Sequence, residues 1–149
     1  MTPHEMTALI GQPIGTSDWL EVSQARIDAF AAATGDFQFI HVDPERARLT
    51  PLGGTVAHGF LTLSLIPLLM ETSDAARVDG MRMGLNYGGN KVRFLAPVHA
   101  GKRIRGHFRL IDLAEKHPGQ WQQTFEATIE IESEDKPAMI AEWIVQFFV

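Results

Sequence analysis

Residues 58–71 read HGFLTLSLIPLLME, and this stretch decides the fold. Apolar side chains fill most positions from Gly59 to Met70, so a helix formed here is apolar nearly all round and should be buried. The stretch is too short to span a bilayer, which takes about 20 residues. Pro67 lies inside it and predicts a kink or an early end. We therefore predict a long helix that the rest of the chain covers.

The second half of the chain has the alternating pattern of β-strands. From Trp121 to Ile131 apolar and polar residues alternate, which is typical of a half-buried antiparallel strand. Residues 103–110 alternate in the same way. Residues 139–148 are apolar on both faces, which predicts a strand at the centre of the sheet or at a subunit contact. Turns are predicted at Gly88–Gly89, Pro97–Gly101, His117–Gly119 and Ser133–Pro137.

Helix signals precede the apolar stretch. Ser23 is a predicted N-cap, and Gly35 stands where a glycine ends a helix. Asp43 and Pro44 predict the start of a short helix that runs to about Arg48. The segment Asp36–His41 between these two helices is predicted to be irregular.

These elements predict an α+β fold in a single domain, residues 1–149. A curved antiparallel β-sheet wrapped around the long helix would bury that helix on every side. This is the hot-dog arrangement.

Composition excludes several kinds of site. The chain has no cysteine, so it forms no disulfide and has no thiolate nucleophile. The net charge of −5 argues against nucleic-acid binding. Histidine spacing gives no metal motif, and we expect no metal and no cofactor. The N-terminal residues lack the pattern of a signal peptide, so we expect a cytoplasmic protein without membrane attachment.

One stretch, residues 80–111, contains no Asp or Glu but seven cationic side chains: Arg82, Lys91, Arg93, Lys102, Arg103, Arg105 and Arg109. Such a stretch could bind a compact polyanion such as a nucleotide or coenzyme A. The alternative is a solvated sheet surface, and charge alone favours this alternative.

The sequence Thr34-Gly35-Asp36-Phe37-Gln38-Phe39-Ile40-His41 holds the main candidates for chemistry. A carboxylate and an imidazole five residues apart in an irregular segment can act together in general acid–base catalysis. From spacing alone the alternative is favoured, in which Asp36 caps a turn and His41 is a structural histidine.

Four motifs together change that balance. They are Thr34-Gly35-Asp36, His41-Val42-Asp43-Pro44, Ala57-His58-Gly59-Phe60 with Ser64, and Val92-Arg93-Phe94 with Pro97 and Gly101. In order and spacing this set resembles the MaoC-like dehydratases, which include (R)-specific enoyl-CoA hydratases, and it is most similar to the branch containing nodulation protein N.

The resemblance implies a lyase with the hot-dog fold. Such an enzyme adds water reversibly to trans-2-enoyl-CoA and gives (3R)-3-hydroxyacyl-CoA. The family's catalytic pair falls on Asp36 and His41, and its oxyanion-hole amide falls on the backbone N–H of Gly59. Gly59 could instead, or in addition, serve tight packing of the helix against the sheet.

This chain departs from the family at Gln38-Phe39, where Asn-Pro is usual. Gln38 offers the same amide one methylene further out, so we expect it to help place the water or the loop. His58 matches the family motif and either orients the loop or is a helix-capping or packing histidine.

Three residues early in the basic stretch, Tyr87, Asn90 and Arg93, are candidates to line the coenzyme channel. A guanidinium suits phosphate, so Arg93 is the candidate for a phosphate contact. Pairing on the strand surface is the alternative for this residue.

Two other functions compete with the hydratase. One is a hot-dog acyl-CoA thioesterase, whose acid is often on the long helix, where this chain has only Glu71. The other is a non-catalytic acyl-CoA-binding subunit. For each of them the fold predicts a homodimer, because pairing across a two-fold axis covers the edge strand of the sheet.

Overall fold

The computed structural model describes the whole chain, Met1–Val149. The helices are α1 (Pro3–Met6), α2 (Gln24–Thr34), α3 (Phe39–Val42), α4 (Pro44–Arg48), α5 (Gly59–Ser64) and α6 (Ile66–Glu71). The strands are β1 (Pro13–Thr16), β2 (Leu20–Glu21), β3 (Met83–Phe94), β4 (Arg103–His117), β5 (Gln120–Ile131) and β6 (Met139–Phe148). The fold is α+β, as predicted.

One antiparallel sheet contains all six strands. Its order is β1-β4-β5-β6-β3, and β2 pairs with β4 beside β1. The prediction of an interior position for residues 139–148 is confirmed, because β6 lies between β5 and β3. At the other side of β3 no strand is paired, so one edge of this long strand is free.

The apolar stretch forms two helices instead of one. The chain breaks at Leu65 between α5 and α6, because Pro67 has no N–H and its ring conflicts with the carbonyl of Leu63. Leu61, Leu65, Ile66 and Leu69 pack into the main core against the inward side chains of the sheet. No helix of the chain combines the length and apolarity needed to cross a membrane.

The prediction that this helix is buried on every side is wrong for the single chain. Phe60 is 65% exposed and Leu68 is 39% exposed. Ser64 and Pro67 are exposed as well. The cause is geometric, since one sheet covers one side of a helix and leaves the opposite side open.

The helix caps predicted in the first half of the chain are confirmed. Ser23 accepts a hydrogen bond from the backbone N–H of Arg26, and Gly35 ends α2 with a φ of +80°. Asp43 caps α4 through the N–H of Arg46. Residues 36–41 are not wholly irregular, however, because Phe39–Val42 forms one helical turn.

The predicted turn at Gly88–Gly89 is wrong. Both glycines lie within β3 and pair with Ile144 and Trp143 of β6. The register shifts between Asn86 and Gly88, which is the signature of a bulge. Glycine inside a strand marks such a bulge as readily as a turn, and long-range pairing with β6 decides between them.

The basic stretch is largely neutralised by neighbouring strands. Five of its seven cations have an acidic partner within 4 Å: Lys91–Glu142, Lys102–Glu134, Arg103–Glu132, Arg105–Glu130 and Arg109–Glu126. Four of these acids belong to β5 or the turn after it, directly opposite β4. The pairing favours the alternative of a solvated sheet surface for this part of the stretch.

The ion pair between Arg105 and Glu130 makes the free energy of unfolding depend on pH. The Arg105 guanidinium, with a smaller effect of His107, lowers the pKa of Glu130. Because the folded pKa is lowered, the pairing stabilises the fold above about pH 4.5, the ordinary value for Glu, and this stability is lost as the pH falls through the lowered pKa.

We therefore expect Glu130→Gln to lower the free energy of unfolding at pH 7 by at most about 1 kcal/mol, since the pair is partly solvated. Denaturant unfolding should show the gap from wild type shrinking towards zero as the pH falls below about 4.5. Glu126→Gln is the control, because Arg109 lies 3.9 Å away and the loss should be smaller. A gap of constant size across this range would contradict the expectation.

Candidate active site

Three candidate side chains gather beside the N-terminus of α5. Asp36 and His41 are carried by the segment between α2 and α4, and His58 is the residue before α5. Each offers one oxygen or nitrogen atom, and these atoms lie within 4.8 Å of one another. The two histidines are buried, while Asp36 is exposed. The structure thus brings together an acid and an imidazole that the sequence placed five residues apart.

The imidazole of His41 is held in one tautomer. Its Nδ1 lies 2.6 Å from the carbonyl oxygen of Val56, and a carbonyl can only accept, so Nδ1 carries the hydrogen. In the neutral ring Nε2 then holds the lone pair. The backbone fixes this ring further, because the Val56 N–H donates to Ile40 O. His41 is therefore oriented as a proton acceptor through Nε2.

His58 contacts both other members of the cluster. Its ring stacks on that of His41, with centroids 3.8 Å apart and planes 23° from parallel. Its Nε2 donates to the backbone carbonyl of Asp36 at 2.9 Å, whereas its Nδ1 is buried without a partner. His58 makes no side-chain cap to α5, and its contacts match both orientation of the Asp36 loop and the packing alternative, because the ring is buried against His41 and Phe30.

Asp36 keeps much of its carboxylate free. One oxygen, Oδ1, accepts a long hydrogen bond of 3.3 Å from the N–H of Gln38. The amide of the Gln38 side chain is exposed and makes no hydrogen bond with the protein. A free carboxylate beside an oriented imidazole can hold a water molecule and help move its protons.

Gly59 is the first residue of α5 and faces a cleft of about 180 Å³. A Cβ atom at this position would lie 2.8 Å from the ring of Phe94, so only glycine fits without a shift. The packing role that the sequence left open is therefore present. The position on the cleft is equally suited to close approach of a ligand to the backbone N–H.

The three candidates on β3 lie apart from this cleft. Tyr87 is 63% exposed and lines a separate cleft beside Ser64 and Pro67. Asn90 pairs with Glu142 at the strand bulge. The Arg93 guanidinium donates to the carbonyl of its neighbour Val92 at 2.7 Å. The single chain does not bring them to the Asp36 cluster, and their coenzyme contacts stay a prediction.

Comparison with known proteins gives the family. The family model described as "MaoC like domain" matches residues 5–134. The chain belongs to the MaoC-like domain family.

Two relatives of this MaoC-like protein match nearly its whole length. Nodulation protein N from Rhizobium leguminosarum bv. viciae is 48% identical over 96% of this chain and 90% of its own length. The 3-hydroxyacyl-thioester dehydratase Z of Mycobacterium tuberculosis is 45% identical over 96% of this chain and 93% of its own. The predicted class of enzyme, a lyase of the hydratase and dehydratase kind, is confirmed.

A solved structure confirms the hot-dog fold. The (R)-hydratase from A. caviae involved in PHA biosynthesis superimposes with a TM-score of 0.72 at 25% sequence identity. The match covers 91% of this MaoC-like chain and 94% of the hydratase.

Sequence reasoning missed two residues that hold the segment carrying His41, Gln24 directly and Thr55 through Gln24. Gln24, in the first turn of α2, donates from Nε2 to the backbone carbonyl of His41 at 2.8 Å. Its Oε1 accepts from the Thr55 hydroxyl at 2.5 Å. These contacts span 17 and 31 positions, so no local pattern in the sequence signals them.

Asp36, His41 and His58 are also of the residue types that bind divalent metals. The stacked geometry fits an ion poorly. Lone pairs lie in the ring planes, and two rings within 23° of parallel direct them side by side instead of towards one point about 2 Å away. The arrangement suits proton transfer better than coordination.

Proposed function

We propose that the chain catalyses reversible (R)-specific hydration of trans-2-enoyl-CoA to (3R)-3-hydroxyacyl-CoA. The observation that carries this proposal is the grouping of a free Asp36 carboxylate with a His41 ring whose Nδ1 is held by Val56 O, so that Nε2 is the proton acceptor of the neutral ring. Membership of the MaoC-like family supports it.

The chemistry needs two proton transfers around one water. The carboxylate accepts a hydrogen bond from the water, and His41 Nε2 takes its other proton while the oxygen bonds to the β-carbon. The π electrons move to the thioester oxygen. The protonated His41 then returns this proton to the α-carbon as the enolate collapses, which restores the neutral ring, so the sum is addition of one water across the double bond.

Gly59 is proposed to stabilise the enolate. Its backbone N–H is among those at the start of α5 that have no partner within the helix, and the adjacent cleft admits a thioester. A donor directed at the developing negative charge lowers the barrier by about 3 kcal/mol in comparable oxyanion holes.

The thioesterase alternative finds less support. The one acid on the helix pair, Glu71, lies at its far end, is exposed, and is bound to Arg77 at 3.3 Å. An acid engaged in this way is poorly placed to activate a water beside Gly59.

The test measures enoyl absorbance and free thiol in the same reaction with trans-2-enoyl-CoA. Hydration removes the enoyl absorbance and leaves the thioester intact, whereas a thioesterase releases free thiol. We expect loss of absorbance without thiol release, and the same rate after dialysis against a strong chelator. Thiol release, acyl-CoA binding without turnover, or a chelated enzyme revived by added zinc would each contradict the proposal.

We also propose that the chain forms a homodimer through β3. This strand has twelve residues, its outer edge is unpaired, and Met83 and Leu85 on it are about half exposed. An open edge of this length with apolar side chains is a surface for pairing with a second copy.

Light scattering after size exclusion should therefore give twice the chain mass of 16.5 kDa. The double variant Met83→Lys/Leu85→Lys should move the protein towards the monomer. Leu49→Lys changes an apolar residue that is 83% exposed at the end of α4 and should leave the dimer intact. A monomeric wild type, or a dimer insensitive to the β3 changes, would contradict this proposal.

A further inference from the structure

A second and larger cavity lies at the far end of the helix pair. Its volume is about 470 Å³, within the range of small-molecule sites. Met70 of α6, Leu85 of β3, and Trp143 and Val145 of β6 form much of its wall. Most of the lining is apolar, which suits a hydrocarbon.

One buried polar side chain, that of Gln123, interrupts this apolar lining. Gln123 is only 6% exposed and occupies an inward position on β5 between Trp121 and Phe125. Its Oε1 is buried and has no hydrogen-bond partner. A carboxamide in such surroundings destabilises the fold unless something pairs with it.

The nearby polar groups form hydrogen bonds with other residues and not with Gln123. The indole N–H of Trp143 donates to Asn86 Oδ1 at 2.8 Å within the same wall. On the opposite face of the sheet, Gln122 accepts from Gln146 at 3.1 Å. The glutamine that faces the cavity is therefore the one that this sheet leaves unpaired.

This cavity and the Gly59 cleft both lie between the helix pair and β3. The Gly59 cleft is bounded by Thr62 and Phe94. An intermediate cleft lies between Leu63 and Val92 and shares Pro67, Asn86 and Trp143 with the far cavity. Gly59 and Met70 are eleven positions apart, so the two sites are separated by about 16 Å along the helices.

We propose that Gln123 recognises a hydrogen-bonding group on the distal part of an acyl chain that extends into the far cavity. The substrate class is then acyl thioesters that carry a hydroxyl or carbonyl several carbons from the thioester. This rests on the proposed hydratase function for the thioester end. A carboxamide offers both donors and an acceptor, so it pairs with either group.

The test compares plain trans-2-enoyl-CoA chains with chains of equal length that carry one hydroxyl at successive carbons. Wild type should show a kcat/KM preference of about tenfold for the hydroxylated chain at one position. Gln123→Leu, which is close in volume, should lose or invert this preference while hydrating plain chains at least as well. Gln122→Leu, on the opposite face, should keep it.

The inference would be overturned if the ratio of kcat/KM for hydroxylated over plain chains were the same in wild type and Gln123→Leu at every hydroxyl position. An internal water would then be the partner of Gln123. If no chain is hydrated, the proposed function fails. Calorimetric binding of the same thioesters then tests separately whether Gln123 recognises the hydroxyl. A tenfold loss of affinity for one hydroxylated chain in Gln123→Leu would support the recognition, and equal affinities would overturn it.

Discussion

Asp36→Asn and His41→Ala should each reduce kcat for hydration by roughly 10²–10⁴-fold. Asparagine lacks the negative charge that holds the water, and alanine removes the Nε2 atom that takes the water's proton. Steady-state assays of enoyl absorbance at saturating substrate measure the loss. KM should change much less than kcat, since neither group provides most of the binding surface.

Matched controls separate chemistry from folding. Asp43→Asn makes the same change at the N-cap of α4, where asparagine caps equally well. His117→Ala removes an exposed imidazole at the end of β4. Both should retain near wild-type kcat.

The double variant Asp36→Asn/His41→Ala should be little slower than the poorer single variant, because residues that act on one water lose their effect together. Losses that multiply would show that the two residues act independently, against the proposed mechanism.

Gly59→Ala should have the second largest effect. The new Cβ would lie 2.8 Å from the Phe94 ring and would also enter the cleft beside the backbone N–H. We expect kcat/KM to fall by about 10²-fold or more, comparable to loss of an oxyanion donor. Overpacking should lower the free energy of unfolding by about 1–3 kcal/mol.

A double variant distinguishes the two roles of Gly59, packing against Phe94 and close approach of the thioester. Gly59→Ala/Phe94→Ala removes the ring that the new methyl meets, so stability relative to Phe94→Ala should recover. Activity should stay low if the methyl obstructs the thioester. Gly54→Ala is the control, since a Cβ there meets nothing within 4 Å. Recovery of activity together with stability would mean that Gly59 serves packing alone.

Local signals predicted those parts of the fold that depend on neighbouring residues. Ser23 and Gly35 marked the ends of α2 because caps act within a few positions. The alternation at 121–131 predicted β5, and its inward residues are buried. Pro67 predicted the break in the apolar helix.

The errors arose where distant parts of the chain decide the structure. Gly88–Gly89 belongs to a strand only because β6 pairs with it. The short strands β1 and β2 have too few residues to show a period, and their pairing with β4 is long-range. Exposure of Phe60 depends on how far the sheet wraps, which no helical pattern reports.

For the site, the family resemblance predicted the grouping of Asp36 and His41, which spacing alone did not favour. The contacts that orient them could not be predicted. Val56 sets the tautomer of His41 from 15 positions away, and Gln24 holds its backbone from the other side. Both contacts exist only in the folded chain.

Chiral analysis of the product from trans-2-enoyl-CoA tests the central proposal most directly. Water held by the fixed Asp36–His41 pair should reach one face of the double bond and give the (3R)-3-hydroxyacyl-CoA alone, with the thioester intact. The (3S) product, a racemic mixture, or free coenzyme A with an unhydrated acid would contradict it.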